Sequence, residues 1–168
     1  MALRKELSLW NGKCKTFIEC IYSKYSVDRN FVESLIQFIE NKQYQKGSSW
    51  LIKKWLESGN RLSLNHTNRL FDSLHDIDCW ETVLHILQSI PFMIIPQTRQ
   101  SKAYIFLRIM LSHSNKFVRA WAYNGFNELA KQYPKFSTEN LEYINMAQSD
   151  EAPSVKARLR LIIKEMKK

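Results

Sequence analysis

Apolar residues recur at steps of three and four through most of this chain, and this spacing limits its fold more than any other feature. Between Lys116 and Tyr133 the apolar or small residues are Val118, Trp121, Ala122, Gly125, Phe126, Leu129, Ala130 and Tyr133. Such steps trace one stripe of a helix with 3.6 residues per turn. Ser114 or Asn115 can cap this helix, and Pro134 ends it. No run of period-two alternation competes, so we predict an all-α protein without a sheet.

Eight further helices are predicted on the same grounds, which makes nine. They cover much of residues 6–25, 30–42, 49–58, 64–75, 78–90, 101–112, 138–148 and 153–167. Residues 30–33 (NFVE) and 78–81 (DCWE) match the capping-box pattern, and Asp150 is a candidate cap for the last helix. The chain has only four Gly and four Pro, fewer than the tight turns of a sandwich or barrel require. Segment 90–96 is β-rich but bracketed by prolines, which predicts a buried linker.

The last long helices repeat at a distance of 37 residues. Residues 115–131 superimpose on residues 152–168, and the aligned pairs include Val118 with Val155, Arg119 with Lys156, Phe126 with Ile163 and Leu129 with Met166. Steps of 35 and then 31 residues back from Val118 reach Val83 and Ile52, each inside a predicted helix. Such a recurrence is typical of helical repeats, which bury their apolar stripes against their neighbours.

Two segments carry a resemblance to a known family. Residues 150–156 (DEAPSVK) resemble the turn and second-helix start of a HEAT repeat, where an Asp stands five positions before a Val-Arg or Val-Lys pair. Residues 113–120 (HSNKFVRA) resemble it too, with His113 in place of the Asp. The resemblance is clearest over residues 97–168.

The resemblance implies a right-handed α-solenoid of about four HEAT-like antiparallel helix pairs plus an N-terminal capping helix. One domain would then cover the chain, with the cap and the four pairs at residues 1–27, 28–60, 61–95, 96–134 and 135–168. In HEAT proteins the Asp and the basic residue tie successive repeats together. Asp150, Arg119 and Lys156 are therefore expected to make such ties here.

The charge of the chain is unevenly distributed. Its 25 basic and 16 acidic side chains give a formal charge of +9, and residues 101–168 hold twelve of the basic and six of the acidic ones. This basic third favours an acidic partner. Cys14, Cys20 and Cys79 have no metal-binding or redox spacing and are odd in number, which indicates a reducing compartment. Without a long apolar run or a signal-peptide pattern, we expect no membrane span and a cytoplasmic protein.

No motif for catalysis, metal or phosphate binding is present, neither His-Glu-x-x-His, nor Gly-x-Ser-x-Gly, nor a Gly-rich phosphate loop. Residues 75–79 (HDIDC) place an imidazole, two carboxylates and a thiol together. They span a helix end, however, where side chains diverge and cannot surround zinc tetrahedrally. We predict no catalytic residue, no metal and no cofactor.

Polar residues four apart form one stripe on each of the two repeating helices, because such residues share a helix face. The stripe on the first of these helices is Arg119, Tyr123, Asn127 and Lys131, and the stripe on the second is Lys156, Arg160, Lys164 and Lys168. In HEAT proteins the second helices line the concave surface, so the resemblance implies a basic groove, to which Lys53 and Lys54 could add. The predicted binding residues are Arg119, Tyr123, Lys131, Lys156, Arg160 and Lys164. An ordinary solvated helix face is the alternative.

Four tryptophans, Trp50, Trp55, Trp80 and Trp121, fall in second helices, where we expect core packing; stacking on nucleic acid is the alternative. The chain also resembles, more weakly, bacterial alkylpurine DNA glycosylases of the AlkD type, which present a basic, tryptophan-lined groove to DNA. Those enzymes use an Asp four residues after a groove Trp. This chain has Lys54, Gly59, Leu84 and Gly125 at those positions.

We therefore predict a non-enzymatic protein-binding scaffold that holds an acidic partner segment on a basic concave face. Nucleic-acid binding, with or without repair chemistry, is the second hypothesis. A purely structural subunit is the third.

Overall fold

The computed structural model describes residues 2–167 and folds them into ten α-helices, without a strand in that range. The helices are α1 Ala2–Leu9, α2 Lys15–Tyr25, α3 Phe31–Ile39, α4 Gln45–Glu57, α5 Leu64–Asp72, α6 Trp80–Ser89, α7 Gln100–Leu111, α8 Lys116–Gln132, α9 Ser137–Asp150 and α10 Pro153–Met166. The all-α prediction is confirmed. None of these helices is long and apolar enough to cross a membrane.

Helix α8 follows the sequence pattern closely. The Asn115 side chain caps it by accepting a 2.9 Å hydrogen bond from the Phe117 N–H, and Pro134 follows its end. Val118, Phe126 and Leu129 are fully buried, as the apolar stripe predicts. The stripe therefore identifies the core side of this helix correctly.

The predicted N-terminal helix is two helices, which is why ten are found instead of nine. Asn11 and Gly12 separate α1 from α2. Gly12 has a φ of 76°, in the left-handed region that favours glycine. The Asn11 side chain accepts hydrogen bonds from the N–H groups of Lys13 and Cys14, both at 2.9 Å, and so closes the turn.

Both predicted capping boxes and the predicted Asp150 cap are wrong. Asn30 precedes α3 without a side-chain cap, and Cys79 rather than Asp78 is the N-cap residue of α6. Asp150 is the last residue of α9, and α10 begins after Ala152. The carboxylates of the two predicted capping boxes bind cations on other helices instead, Glu33 to Arg69 and Glu81 to Lys46.

Helices α4, α6, α8 and α10 pack in succession and form one continuous row. Beside this row, α3 packs on α4, α7 packs on α8, and α9 packs on both α8 and α10, while α5 contacts α3 and α7. The 37-residue register is exact at the helix starts, since α8 follows Asn115 and α10 follows Ala152. The same register holds inside the core, where Val118 and Val155, and likewise Ala122 and Leu159, are all buried. Ile163, which the 37-residue register aligns with the buried Phe126, is only partly buried.

Segment 90–96 is a linker, as predicted, and its burial alternates. Met93 and Ile95 are buried, whereas Ile94 is 75% exposed. The end of α8 holds the linker: the Gln132 side chain accepts from the Ile95 N–H at 2.8 Å, and the Tyr133 hydroxyl donates to the Ile95 carbonyl at 2.6 Å. The two prolines thus bracket a segment whose backbone is bound by side chains instead of a neighbouring strand.

Candidate functional site

Arg119, the first predicted binding residue, is engaged inside the fold. Its guanidinium donates to the Glu151 carboxylate, with Nε 2.9 Å from Oε1 and Nη2 2.9 Å from Oε2. Nη1 donates to the carbonyls of His113 and Ser114 at 2.9 and 3.1 Å. The hydrogen bond that Arg119 donates to Glu151 raises the pKa of Arg119. Arg119 therefore ties the start of α8 to the turn between α9 and α10, and its acidic partner is Glu151 rather than the expected Asp150.

Tyr123 lies one turn further along α8 and is buried. Burial raises its pKa to about 12, and the negative charge of Glu151 adds to the shift. Together with Arg119, it lines an open cavity of about 360 Å³ against Met146 and Ala147 of α9 and the following acidic residues. Tyr123 is therefore a packing residue beside the Arg119–Glu151 pair.

Lys131, at the far end of the stripe on α8, is paired with two carboxylates. Its Nζ lies 2.7 Å from Glu128 Oε1 and 3.5 Å from Glu165 Oε2. The second contact joins α8 to α10. Both pairs are partly exposed, so we expect each to contribute less than about 1 kcal/mol to stability.

The stripe on α10 is more open than the stripe on α8. Lys156 Nζ donates to the Ser149 carbonyl at 2.9 Å, near the end of α9. Lys156 and Arg160 line a depression of about 200 Å³ together with Leu159 and Ile163. Arg160 and Lys164 are exposed and form no ion pair within residues 2–167. Lys168, the last position of the stripe, lies outside the described residues.

The two stripes have the same spacing but different surroundings, because α9 covers the one on α8. Asn127 is buried and accepts a 3.1 Å hydrogen bond from the Asn140 side chain of α9. The Phe126 ring packs edge-on against Tyr143 of α9, with centroids 5.3 Å apart. On α10, α9 reaches the start of the equivalent stripe, where Lys156 bonds to the Ser149 carbonyl, whereas Arg160 and Lys164 are exposed. The structure therefore does not join the stripes into one open face.

A different set of side-chain contacts, which we name the seam, joins neighbouring helices of the row. Its residues stand 34 to 37 positions apart in sequence. Between α4 and α6 the contacts are Lys46 with Glu81 at 2.8 Å, Ser49 with His85 at 3.0 Å and Lys53 with Gln88 at 3.2 Å. Burial, and then the charges of Lys53 and Lys46, lower the pKa of His85 to about 4. The seam was not predicted, although a search for polar residues one repeat apart could have found it.

Between α8 and α10 the seam opens into a groove, named here the Trp121 groove. The Arg158 guanidinium lies over the Trp121 ring, 3.9 Å from its centroid. Phe117 and Leu161 are 50% and 51% exposed. The groove has a volume of about 210 Å³ and is lined by Phe117, Ala120, Trp121, Ser154, Ala157, Arg158 and Leu161. A cation and large apolar side chains thus share one open site.

The predicted core packing of the tryptophans holds only in part. Trp50, Trp55 and Trp121 are partly buried and pack against the core. Trp80, in the first turn of α6, is 40% exposed. Trp80 is the first residue of α6 and does not belong to the buried face of that helix, which includes Val83, Ile86 and Leu87.

The side chains of residues 75–79 do not converge on one point, and each contacts a different partner. His75 contacts Asp76 at 3.2 Å, Asp78 pairs with Lys42 at 2.7 Å, and the Cys79 thiol donates to Glu81 at 3.1 Å. Over residues 2–167, no three His, Cys, Asp or Glu side chains stand close enough to hold one metal ion.

Comparisons of the whole chain with protein-family models, with curated proteins and with solved structures give no match.

Proposed function

We propose that the chain is a non-enzymatic protein-binding scaffold that holds an acidic segment of another protein on the basic face of its C-terminal helices. Its architecture in this proposal is a right-handed, HEAT-like α-solenoid of the four predicted pairs, preceded by α1 and α2. The continuous row of α4, α6, α8 and α10, with a partner helix beside most of its members, supports that architecture. The three free cysteines support a reducing compartment, the cytoplasm.

One observation carries the proposal of an acidic partner. Arg160 and Lys164 project from a helix in the most basic third of the chain and are exposed and unpaired among the described residues, whereas Arg119 and Lys131 are neutralised by Glu151, Glu128 and Glu165. Charges that are not neutralised internally attract an oppositely charged partner and speed its association.

The surroundings of Gly125 support a non-enzymatic role. Gly125 stands four residues after Trp121, where the glycosylases resembled above have their Asp. A Cβ atom built there would lie 2.7 Å from Leu107 Cδ2 and 3.2 Å from Ile90 Cδ1. A carboxylate at this position would need space that the core already fills and would be costly to bury there.

Nucleic acid is the second candidate partner, because aromatic rings and cations are both exposed along the row. Trp80 is 40% exposed, and Lys116 Nζ lies 5.5 Å from the centre of the half-exposed Phe117 ring. Bases stack on such rings, and phosphates bind such cations.

The test begins with capture of the native complex and identification of the partner by mass spectrometry. The double variant Arg160→Glu/Lys164→Glu should then weaken partner binding at least tenfold without changing the melting temperature. Lys5→Glu/Lys13→Glu is the matched control, because it makes the same charge change at exposed positions remote in sequence. Equal binding by both variants would contradict the proposal. A loss of affinity that is steep in salt, with captured nucleic acid, would favour the second candidate.

A further inference from the structure

The Trp121 groove exposes apolar surface in an otherwise polar seam. Phe117 and Leu161 form its rim, and each is about half exposed. Isolated exposed apolar residues are common, but a concave group of them marks a binding site more often. The volume of about 210 Å³ is that of one large side chain rather than of a cofactor.

Arg158 is the polar group of this groove, and its donors are free for a ligand. No hydrogen bond or ion pair of its guanidinium occurs within the described range 2–167, although the group is partly buried over Trp121. Burial lowers the pKa of Arg158 and outweighs the opposing charge of Glu165, whereas hydrogen-bonded carboxylates raise the pKa of Arg69 and Arg119. Ser154, one turn earlier, has a buried hydroxyl without a partner in the described residues.

The electrostatic environment differs between the two ends of the groove. One end, which we call the upper end, lies in the first turns of α8 and α10, where helix N-termini favour anions. Lys116 adds a cation at that end. Two turns further along, Glu128 and Glu165 approach Lys131 and provide more negative than positive charge. The groove therefore favours one anionic group at its upper end and disfavours negative charge further down.

This pattern fits a peptide better than a nucleic acid. A polynucleotide needs a series of cations that follow its phosphates, and Glu128 and Glu165 would repel the next phosphate along the seam. A peptide can place one carboxylate at Arg158 and one large apolar side chain between Phe117 and Leu161.

We infer that the Trp121 groove binds an acidic peptide segment through a single large apolar side chain, with the adjacent carboxylate of that segment paired to Arg158. The inference rests on the proposed function and adds which feature of the acidic partner would make its binding specific, namely an apolar side chain beside a carboxylate. Arg160 and Lys164 supply general attraction from the neighbouring face of α10, and the groove selects the sequence.

The experiment is a selection of displayed random 12-residue peptides on the full chain, followed by affinity measurements on the enriched peptides. They should carry Asp or Glu within two residues of Leu, Ile, Phe or Trp. Phe117→Ser/Leu161→Ser should weaken their binding roughly tenfold to hundredfold, since one large apolar side chain loses its contacts. Arg158→Gln should weaken it about tenfold or more.

Ile105→Ser/Ile109→Ser is the matched control, because these α7 residues are 56% and 60% exposed and do not line the groove. It should change affinity less than twofold, and circular dichroism should show that all variants stay folded. Failure to enrich any peptide, enriched peptides without a carboxylate, or equal affinity of the groove variants and the parent would overturn the inference. Displacement of the peptides by a 12-nucleotide oligothymidylate but not by polyglutamate would do so as well, in favour of nucleic acid.

The native partner separates the two proposals. If it binds the groove variants normally but not Arg160→Glu/Lys164→Glu, the inference is wrong and the proposed function stands. If every variant binds it normally, both are wrong.

Discussion

The α4–α6 seam and the α8–α10 seam both join neighbouring helices of the row, but their polar side chains have different partners. In the first, Lys46, Ser49 and Lys53 reach partners on α6. In the second, Arg158 lies on an aromatic ring and finds no carboxylate among the described residues. Repeated helices can therefore share their packing while one junction is closed by its own polar pairs and another stays available for a ligand.

The distribution of charge agrees with this difference. Residues 51–100 hold five basic and five acidic side chains, whereas residues 101–168 have six more basic than acidic ones. Lys46, which touches α6, is paired with Glu81. Arg160 and Lys164 of α10 form no ion pair among the described residues, and an acidic partner would balance their charge.

The largest expected effect is the loss of stability when a core side chain of α8 is removed, compared with the removal of a groove side chain from the same helix. Phe126 is fully buried between Tyr104 and Tyr143, so Phe126→Ala should lower the free energy of unfolding by about 3–5 kcal/mol. Phe117→Ala should change it by less than about 0.5 kcal/mol. Urea unfolding measures both. A large loss for Phe117→Ala would show that the groove wall is structural.

Acid should weaken the α4–α6 seam through His85. Its pKa is about 4 in the fold against an ordinary value of 6.5, so the unfolded chain binds more protons between these values and stability falls as the pH drops through that window. At pH 4.5 the loss should be about 2–3 kcal/mol relative to pH 7. His85→Gln should remove this part of the pH dependence of urea unfolding. An unchanged dependence in the variant would contradict the assignment.

The tie between α8 and the α9–α10 turn should depend on Glu151 and not on Asp150. Glu151→Gln leaves the partly buried Arg119 without its carboxylate and should lower stability by about 1–3 kcal/mol. Asp150→Asn, at an exposed position, should change it by less than about 0.5 kcal/mol. Thermal unfolding of the two variants compares them directly, and the reverse order would restore the tie expected from the HEAT resemblance.

The smallest effects concern the ion pairs at the two junctions. Lys46→Gln and Lys131→Gln should each lower stability by roughly 0.2–1 kcal/mol, because both pairs are partly exposed. Lys46 should matter more, since its side chain and that of Glu81 are 31% and 29% exposed against 45% and 55% for Lys131 and Glu165. Double-mutant cycles in low and high salt measure the difference. A larger coupling energy for Lys131 would reverse the comparison between the seams.

Local signals were enough to predict most of the helices. The apolar stripe of α8, its Asn115 cap and the 37-residue register follow from spacing along a single helix, and the structure agrees with all three. The capping boxes failed at Glu33 and Glu81, because these carboxylates bind Arg69 and Lys46. Partners far away in sequence outcompeted the local ones, and no local pattern contains them.

The sequence by itself determined that the chain is helical, which side of each long helix enters the core, and that its last third is basic. Only the tertiary structure decided which polar residues stay open. The two stripes have the same spacing, but α9 covers Tyr123 and Asn127 of the first, whereas Arg160 and Lys164 of the second are exposed. Periodicity distinguishes an apolar side of a helix from a polar one. It cannot distinguish a polar side that meets solvent from one that meets another helix, because that depends on where the next helix packs.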